Sequence, residues 1–304
     1  MIRSNQGLMS SRTKAVLLLV VCVALWALIP VAAKLGQTSL DHHQFLFWSS
    51  LVSFVLVFTI AAVRGKLREL HSYRPVRWLS LFGLGFLGTY VYYLLLYQGY
   101  ARAQGLEVLV FQYSWPLFVV LFSVPLLRER PGPRGVIALL LGFLGVSWVL
   151  TRGDFATVDL SNSTVIALVA AGAAGFALFS VLSKKVKTDP LAAVAIYFLA
   201  ATIASLISML LYSRFAFPEV RELVPVLVNG LFVNGISYVL WIQALKLTDA
   251  SRLAPLVFLT PILSAGYLTF VFDEPLEAAH LIGLAVIVVA GLLSSSSGTR
   301  KNAT

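Results

Sequence analysis

At 304 residues the chain has room for about two soluble domains. Its 59% hydrophobic and 12% charged residues exclude them, since soluble domains run at about 45–50% apolar and about 25% charged. A single cysteine, Cys22, excludes a disulfide framework and a cysteine-based zinc cluster, and the net charge of +10 is scattered over short loops instead of forming the basic domain a nucleic-acid binder needs.

A bilayer core about 30 Å thick takes roughly 20 apolar residues per helical crossing. In chain order such stretches fall near residues 15–33, 44–63, 78–100, 108–127, 135–151, 164–183, 191–212, 223–245, 253–272 and 278–297. Each run is continuously apolar, where a barrel strand would alternate over about ten residues, so the reading is an all-α membrane protein of ten transmembrane helices. The first run follows Arg3, Arg12 and Lys14 as a signal peptide would, but it is too long for a cleaved apolar region and is kept as a span.

Basic residues set the orientation. With the N-terminus cytoplasmic, the opposite face carries only Lys34, Arg102, Arg152, Arg214 and Arg221 of the 23 basic residues. Both termini are therefore expected inside, and an even number of spans follows.

The chain also repeats itself. Trp26 to Lys34 in the first span aligns with Phe176 to Lys184 in the sixth at an offset of 150, and then the offset settles at 145: Gly85 with Gly230, Tyr93 with Tyr238, Gln98 with Gln243, Pro116 with Pro261, Glu129 with Glu274. Two five-helix repeats are expected, residues 1–155 and 156–304. Five is odd, so the second enters the membrane from the other side: a 5+5 inverted-topology repeat around a central cavity. The loops agree, since residues 128–134 are basic and residues 273–277 contain no basic residue. Two halves of opposite orientation can open a central site to one side and then the other.

The Leu25-Trp26 turn of span one, the Glu-Arg-Pro and Asp-Glu-Pro loops after spans four and nine, and glycine-bearing spans with Gly145 and Gly291 resemble the drug and metabolite transporter superfamily in its ten-span EamA-like branch. The resemblance covers nearly the whole chain. Tyr113-Ser114-Trp115-Pro116 and Gly145-Val146-Ser147-Trp148-Val149-Leu150 look like the aromatic amino acid exporter subgroup, which implies a bacterial inner-membrane location. That subgroup often carries tryptophan where Phe176 stands here.

All thirteen carboxylates lie in loops or at span ends, so no buried acid is expected, and a dicarboxylate proton site is disfavoured. Lys34 and Lys184 are either snorkelling cations or binders of a carboxylate. The interior offers aromatics and neutral polar groups. Tyr90, Tyr93 and Tyr97 share a face of span three at 100° per residue, and Asn234, Tyr238 and Trp241 share one of span eight. Such stripes either line a site for an organic molecule with an apolar side chain or mark the membrane interface. Trp26 and Phe176 are a repeat pair near mid-span. With Trp115 they either line the cavity, as the resemblance implies, or pack helices. Pro30, Pro116, Pro255 and Pro261 can kink their helices. The glycines of 171–175 and Gly83, Gly85 and Gly88 read as close helix packing. The four histidines lie outside the membrane core, which disfavours a histidine relay, and nothing supplies the nucleophile, base or metal set an intramembrane enzyme needs.

The expected function is therefore an inner-membrane transporter exporting aromatic and other neutral amino acids and related metabolites by alternating access. It acts on a small-molecule substrate, in a lipid bilayer, as a monomer, without a cofactor and without nucleic acid. The alternative is an exporter of drugs or other small metabolites such as organic cations, which the lack of an intramembrane carboxylate weakens. A sugar-phosphate carrier would need basic residues deep in the cavity.

Overall fold

In a computed structural model, residues 10–102, 105–158, 163–273 and 278–295 are described, and every regular element among them is helical. Among the described residues nine helices are long and apolar enough to cross a membrane: Ser11–Gly36, His42–Val63, Pro75–Leu96, Val110–Leu127, Pro133–Leu150, Ser163–Lys185, Pro190–Tyr212, Val220–Leu247 and Ala250–Phe272. A shorter apolar helix, Ala278–Leu293, stands at the position of the tenth expected crossing. We number these spans 1 to 10. In the hydrocarbon only a helix satisfies every backbone polar group within its own segment, which is why continuously apolar runs fold this way. Large apolar side chains such as Val55, Leu140, Leu211, Phe270 and Leu292 stay exposed along the outer faces, a lipid-facing belt.

Helix starts follow local chemistry. Asp41 and Gln44 form a reciprocal capping box at span 2, with Gln44 N donating to Asp41 Oδ1 at 2.9 Å and Asp41 N to Gln44 Oε1 at 2.8 Å. Pro75, Pro133 and Pro190 open spans 3, 5 and 7, where a missing N–H costs nothing.

Five of the ten spans are not simple α-helices, and three of them break at prolines that the sequence marks as able to kink a helix. Span 1 is two helices, Ser11–Trp26 and Ile29–Gly36. Span 4 is Gly105–Gln112 followed by Trp115–Leu127, and span 9 is Ala250–Val257 followed by Thr260–Phe272. Each second half carries proline in its first two positions: Pro30, Pro116 and Pro261. Proline has no N–H for the carbonyl four residues back, and its ring clashes with that carbonyl, so the ladder breaks where it must. Spans 3 and 8 stay continuous but contain wide-turn π segments, Phe86–Val91 and Asn229–Ile236.

The element bounds recur 145 residues on. Tyr92–Arg102 corresponds to Ser237–Leu247, Gly105–Gln112 to Ala250–Val257, Trp115–Leu127 to Thr260–Phe272 and Pro133–Leu150 to Ala278–Ser295. Even the left-handed residues closing the two broken spans match, Arg128 and Asp273, both at φ 56°. The exception is span 6, which runs unbroken from Ser163 to Lys185 because Ser180 stands where span 1 has Pro30.

Spans 2 and 7 pack lengthwise, as do spans 5 and 10. The second contact depends on glycine: a Cβ at Gly283 would lie 2.1 Å from the Val149 side chain and 2.9 Å from the Gly145 carbonyl. Of the small residues expected to pack closely, Gly88 meets the Phe179 ring and Gly175 meets Leu87 between spans 3 and 6, and Gly85 meets the Tyr197 backbone of span 7, whereas Gly83 faces open space.

Candidate functional site

The three broken spans converge on one cavity. Trp26 and Ile29 flank the break in span 1, Gln112 and Trp115 that in span 4, and Val257 and Thr260 that in span 9; all six line the cavity, together with Tyr113 from the span 4 break. Span 3 adds Tyr92 and Tyr93, span 6 adds Phe176 and span 8 adds Tyr238. Non-helical backbone at membrane depth is tolerated where it is buried in protein or lines a cavity, and both conditions hold. Each break is closed by a tight turn: Leu28 N to Leu25 O at 3.1 Å, Ser114 N to Phe111 O at 3.1 Å and Leu259 N to Leu256 O at 3.2 Å.

Four pairs of lining residues are related by the repeat spacing. They are Trp26 with Phe176, Tyr93 with Tyr238, Gln112 with Val257 and Trp115 with Thr260. The rings interlock edge to face. Trp26 to Trp115 centroids are 5.9 Å apart at 86°, Trp115 to Phe176 5.0 Å at 88°, and Phe176 to Tyr238 6.0 Å at 78°. Trp26 is 6% exposed and Trp115 4%. The free volume among them is about 30 Å³, room for a water or two, so in this conformation the rings themselves fill the centre.

Of the eight residues singled out from the sequence, five line this cavity: Trp26, Tyr93, Trp115, Phe176 and Tyr238. Trp241 packs behind them, 5.6 Å from both Trp26 and Trp115, with Nε1 donating to Ser180 Oγ at 3.0 Å. Asn234 accepts from the Tyr93 hydroxyl at 3.1 Å through Oδ1 and so holds a lining ring without itself lining. Tyr90 lies against Phe86, 5.2 Å between centroids, away from the cavity. The cause is the π segment: its wider turn spoils the 100° projection that put Tyr90 on the face of Tyr93. The Tyr97 side chain lies outside the described residues.

Tyr92, Gln112 and Tyr113 were missed. Gln112 Nε2 donates to the Tyr92 hydroxyl at 3.0 Å, which fixes its amide at the end of a half-helix. The signal was Pro116, since the residues three and four positions before a second-turn-starting proline sit at the break it causes.

Among the described residues no charged side chain lines the cavity. Lys34 and Lys184 both lie off it: the Lys34 ammonium stands 4.0 Å above the Phe272 ring, and Lys184 pairs with Glu129 at 2.6 Å. The expectation of no buried acid is corrected at two span ends. The Glu129 side chain is 6% exposed. Glu222 is fully buried, its Oε1 accepting from Ser39 N at 2.7 Å, Ser39 Oγ at 2.6 Å, Leu40 N at 3.0 Å and Thr38 Oγ1 at 3.1 Å. These acids escaped the sequence reading because their burial comes from turns folded over them, not from the apolar runs. His43 is likewise buried, at the first turn of span 2, with Nδ1 2.6 Å from Ser208 Oγ.

A family model described as the EamA-like transporter family matches the chain twice, over residues 13–151 and 163–296. The chain belongs to the EamA-like transporter family. It is a multi-pass membrane protein of that family. Among EamA-like relatives, the aromatic amino acid exporter YddG of Ancylobacter novellus is 26% identical over 91% of this chain and 96% of its own length. The S-adenosylmethionine uptake transporter of Rickettsia bellii is 25% identical over 86% of each. A crystal structure 23% identical in sequence superposes with a TM-score of 0.84, covering 95% of this chain and 99% of that one, which gives the fold.

Proposed function

We propose that the chain exports aromatic and other neutral amino acids across the bacterial inner membrane, with both termini cytoplasmic, by alternating access of two oppositely oriented five-helix halves. The observation that carries this reading is the cavity at three helix breaks, lined by repeat-related aromatic pairs and, among the described residues, by no charged side chain. Ile29, Trp115 and Thr260 begin half-helices there, and Trp26, Gln112 and Val257 end them. Half-helix N-termini present partial positive charge to a carboxylate, and C-termini present carbonyls to an ammonium. A zwitterion with an apolar ring therefore finds both its charges and its side chain matched without a counter-ion. The carrier works as a monomer, needs no cofactor and catalyses no covalent chemistry.

The second reading, export of an organic cation, is favoured by the S-adenosylmethionine relative and by the aromatic faces available for cation–π contact. Purified protein in liposomes decides between them. Saturable flux of labelled phenylalanine or tryptophan, with KM raised roughly tenfold by Trp115→Ala, supports the first. Flux of a labelled organic cation without any amino acid flux replaces it with the second.

A further inference from the structure

The Glu129 carboxylate plays no part in the cavity, yet it ties three spans together. Oε1 accepts from Lys184 Nζ at 2.6 Å and from Ala250 N at 2.9 Å, and Oε2 from Ser251 N at 3.0 Å. Lys184 Nζ also donates to the Thr248 carbonyl at 2.7 Å. The turn after span 4, the end of span 6 and the first turn of the Ala250–Val257 half-helix are thereby joined. The other end of that half-helix is Val257, which lines the cavity about 10 Å away at 1.5 Å per residue. The clamp on the 6–7 turn is extended nearby: Lys66 pairs with Asp189 at 3.1 Å, Asp189 N donates to Glu69 Oε1 at 2.8 Å, and Lys246 Nζ donates to the Thr188 carbonyl at 2.6 Å.

A pair this buried is a poor device for stability alone, since apolar residues of the same volume would hold the interface as well or better. It suits a contact that must part. When the two ends separate, both charges regain water, so opening costs far less than tearing an apolar seam. At the opposite end of the bundle Lys34, 150 residues before Lys184, is exposed beside the turn that closes span 9.

We propose that Glu129, Lys184 and the N-terminus of the Ala250–Val257 half-helix form the gate at this end of the bundle, made in the conformation seen here and broken when the cavity opens to this side. This inference rests on the alternating-access reading. Its test needs no cargo. In a Cys22→Ser background, a Val257→Cys reporter is labelled with a membrane-impermeant maleimide applied from one side of the membrane or the other. Glu129→Gln and Lys184→Met are expected to raise labelling from the Glu129 side about tenfold and to lower it from the other side, the signature of a shifted two-state equilibrium. Lys184→Arg, which keeps the charge and its donors, should label like the parent. Unchanged rates from both sides in the folded variants, or equal increases from both, would overturn the gate. Where Glu129→Gln does not fold, Lys184→Met carries the test. Sided labelling without amino acid flux keeps the gate and discards the export reading; flux without sided labelling does the reverse.

Discussion

Gln112 supplies the side-chain amide of the cavity lining, and its position 145 residues on is Val257, so the two halves present unlike chemistry to a shared space. Held by the Tyr92 hydroxyl, the amide would, on the proposed export reading, orient the polar end of a zwitterion while the rings take its side chain. Gln112→Leu is expected to raise KM for a neutral amino acid about tenfold, the worth of roughly one hydrogen bond to a charged group, with little change in kcat. Gln112→Glu adds a charge that repels a carboxylate and attracts a cation, so amino acid affinity should fall further while an organic cation gains. Uptake kinetics with one labelled substrate of each kind measure both effects. An equal loss for both substrates in Gln112→Glu would show that residue 112 only holds Tyr92. Much of this site was legible as residue type: mid-membrane Trp26, Trp115 and Phe176 have no interfacial role to excuse them, and the repeat picked out Tyr93 and Tyr238. Tyr92 was not legible, because a 100° projection puts adjacent tyrosines in different directions, whereas both Tyr92 and Tyr93 reach the cavity just after the π turn.

At the scale of elements, the breaks matter more than the helices. The length of the apolar runs located spans 1, 4 and 9, but an unbroken apolar run hides the two-residue interruption, and only the prolines mark it. Pro116 and Pro261 stand in the first two positions of their second halves, so neither donates to the carbonyl four residues back. Val257 O takes the Thr260 hydroxyl instead, at 2.7 Å. Replacing either proline by alanine supplies the missing N–H and lets the helix run through, which removes the polar backbone ends that line the cavity. Pro116→Ala and Pro261→Ala are expected to raise the melting temperature in detergent while cutting flux several-fold, the usual exchange of function for stability. Lower melting temperatures with flux preserved would show that the prolines stabilise the breaks without serving transport. The same logic explains why span 6, lacking a proline equivalent to Pro30, reaches the cavity with one side chain, Phe176, from a continuous helix.

For the whole molecule, the question is what drives the exchange between states, and the charges that matter lie at its ends. Composition and loop charge were enough to read an all-helical membrane chain, and element bounds recurring at 145 residues match the spacing of its residue pairs. The buried acids were out of reach, because carboxylates at span ends are covered only once distant turns fold over them. Glu129 shows the consequence. Burial pushes its carboxyl pKa up, but Lys184 and the backbone N–H groups of Ser251 and Ala250 outweigh burial and hold it below the usual carboxylate range. A carboxyl depressed in the folded state contributes its stabilisation above the unfolded pKa of about 4.3 and loses it only as pH falls through the lower folded value. The Glu129 contact should therefore stay intact from about pH 8 down to about pH 5 and yield only in stronger acid. A group ionised throughout that window takes up no proton in a physiological cycle, and among the described residues no charged side chain lines the cavity to do so in its place. Transport is then expected to run down the substrate gradient, with flux in liposomes the same with and without an imposed pH gradient. Labelling of Val257→Cys from the Glu129 side should be flat over the same range. Flux that requires the pH gradient, or labelling that rises between pH about 7 and about 6, would place a proton-binding group in the cycle and make the carrier an antiporter.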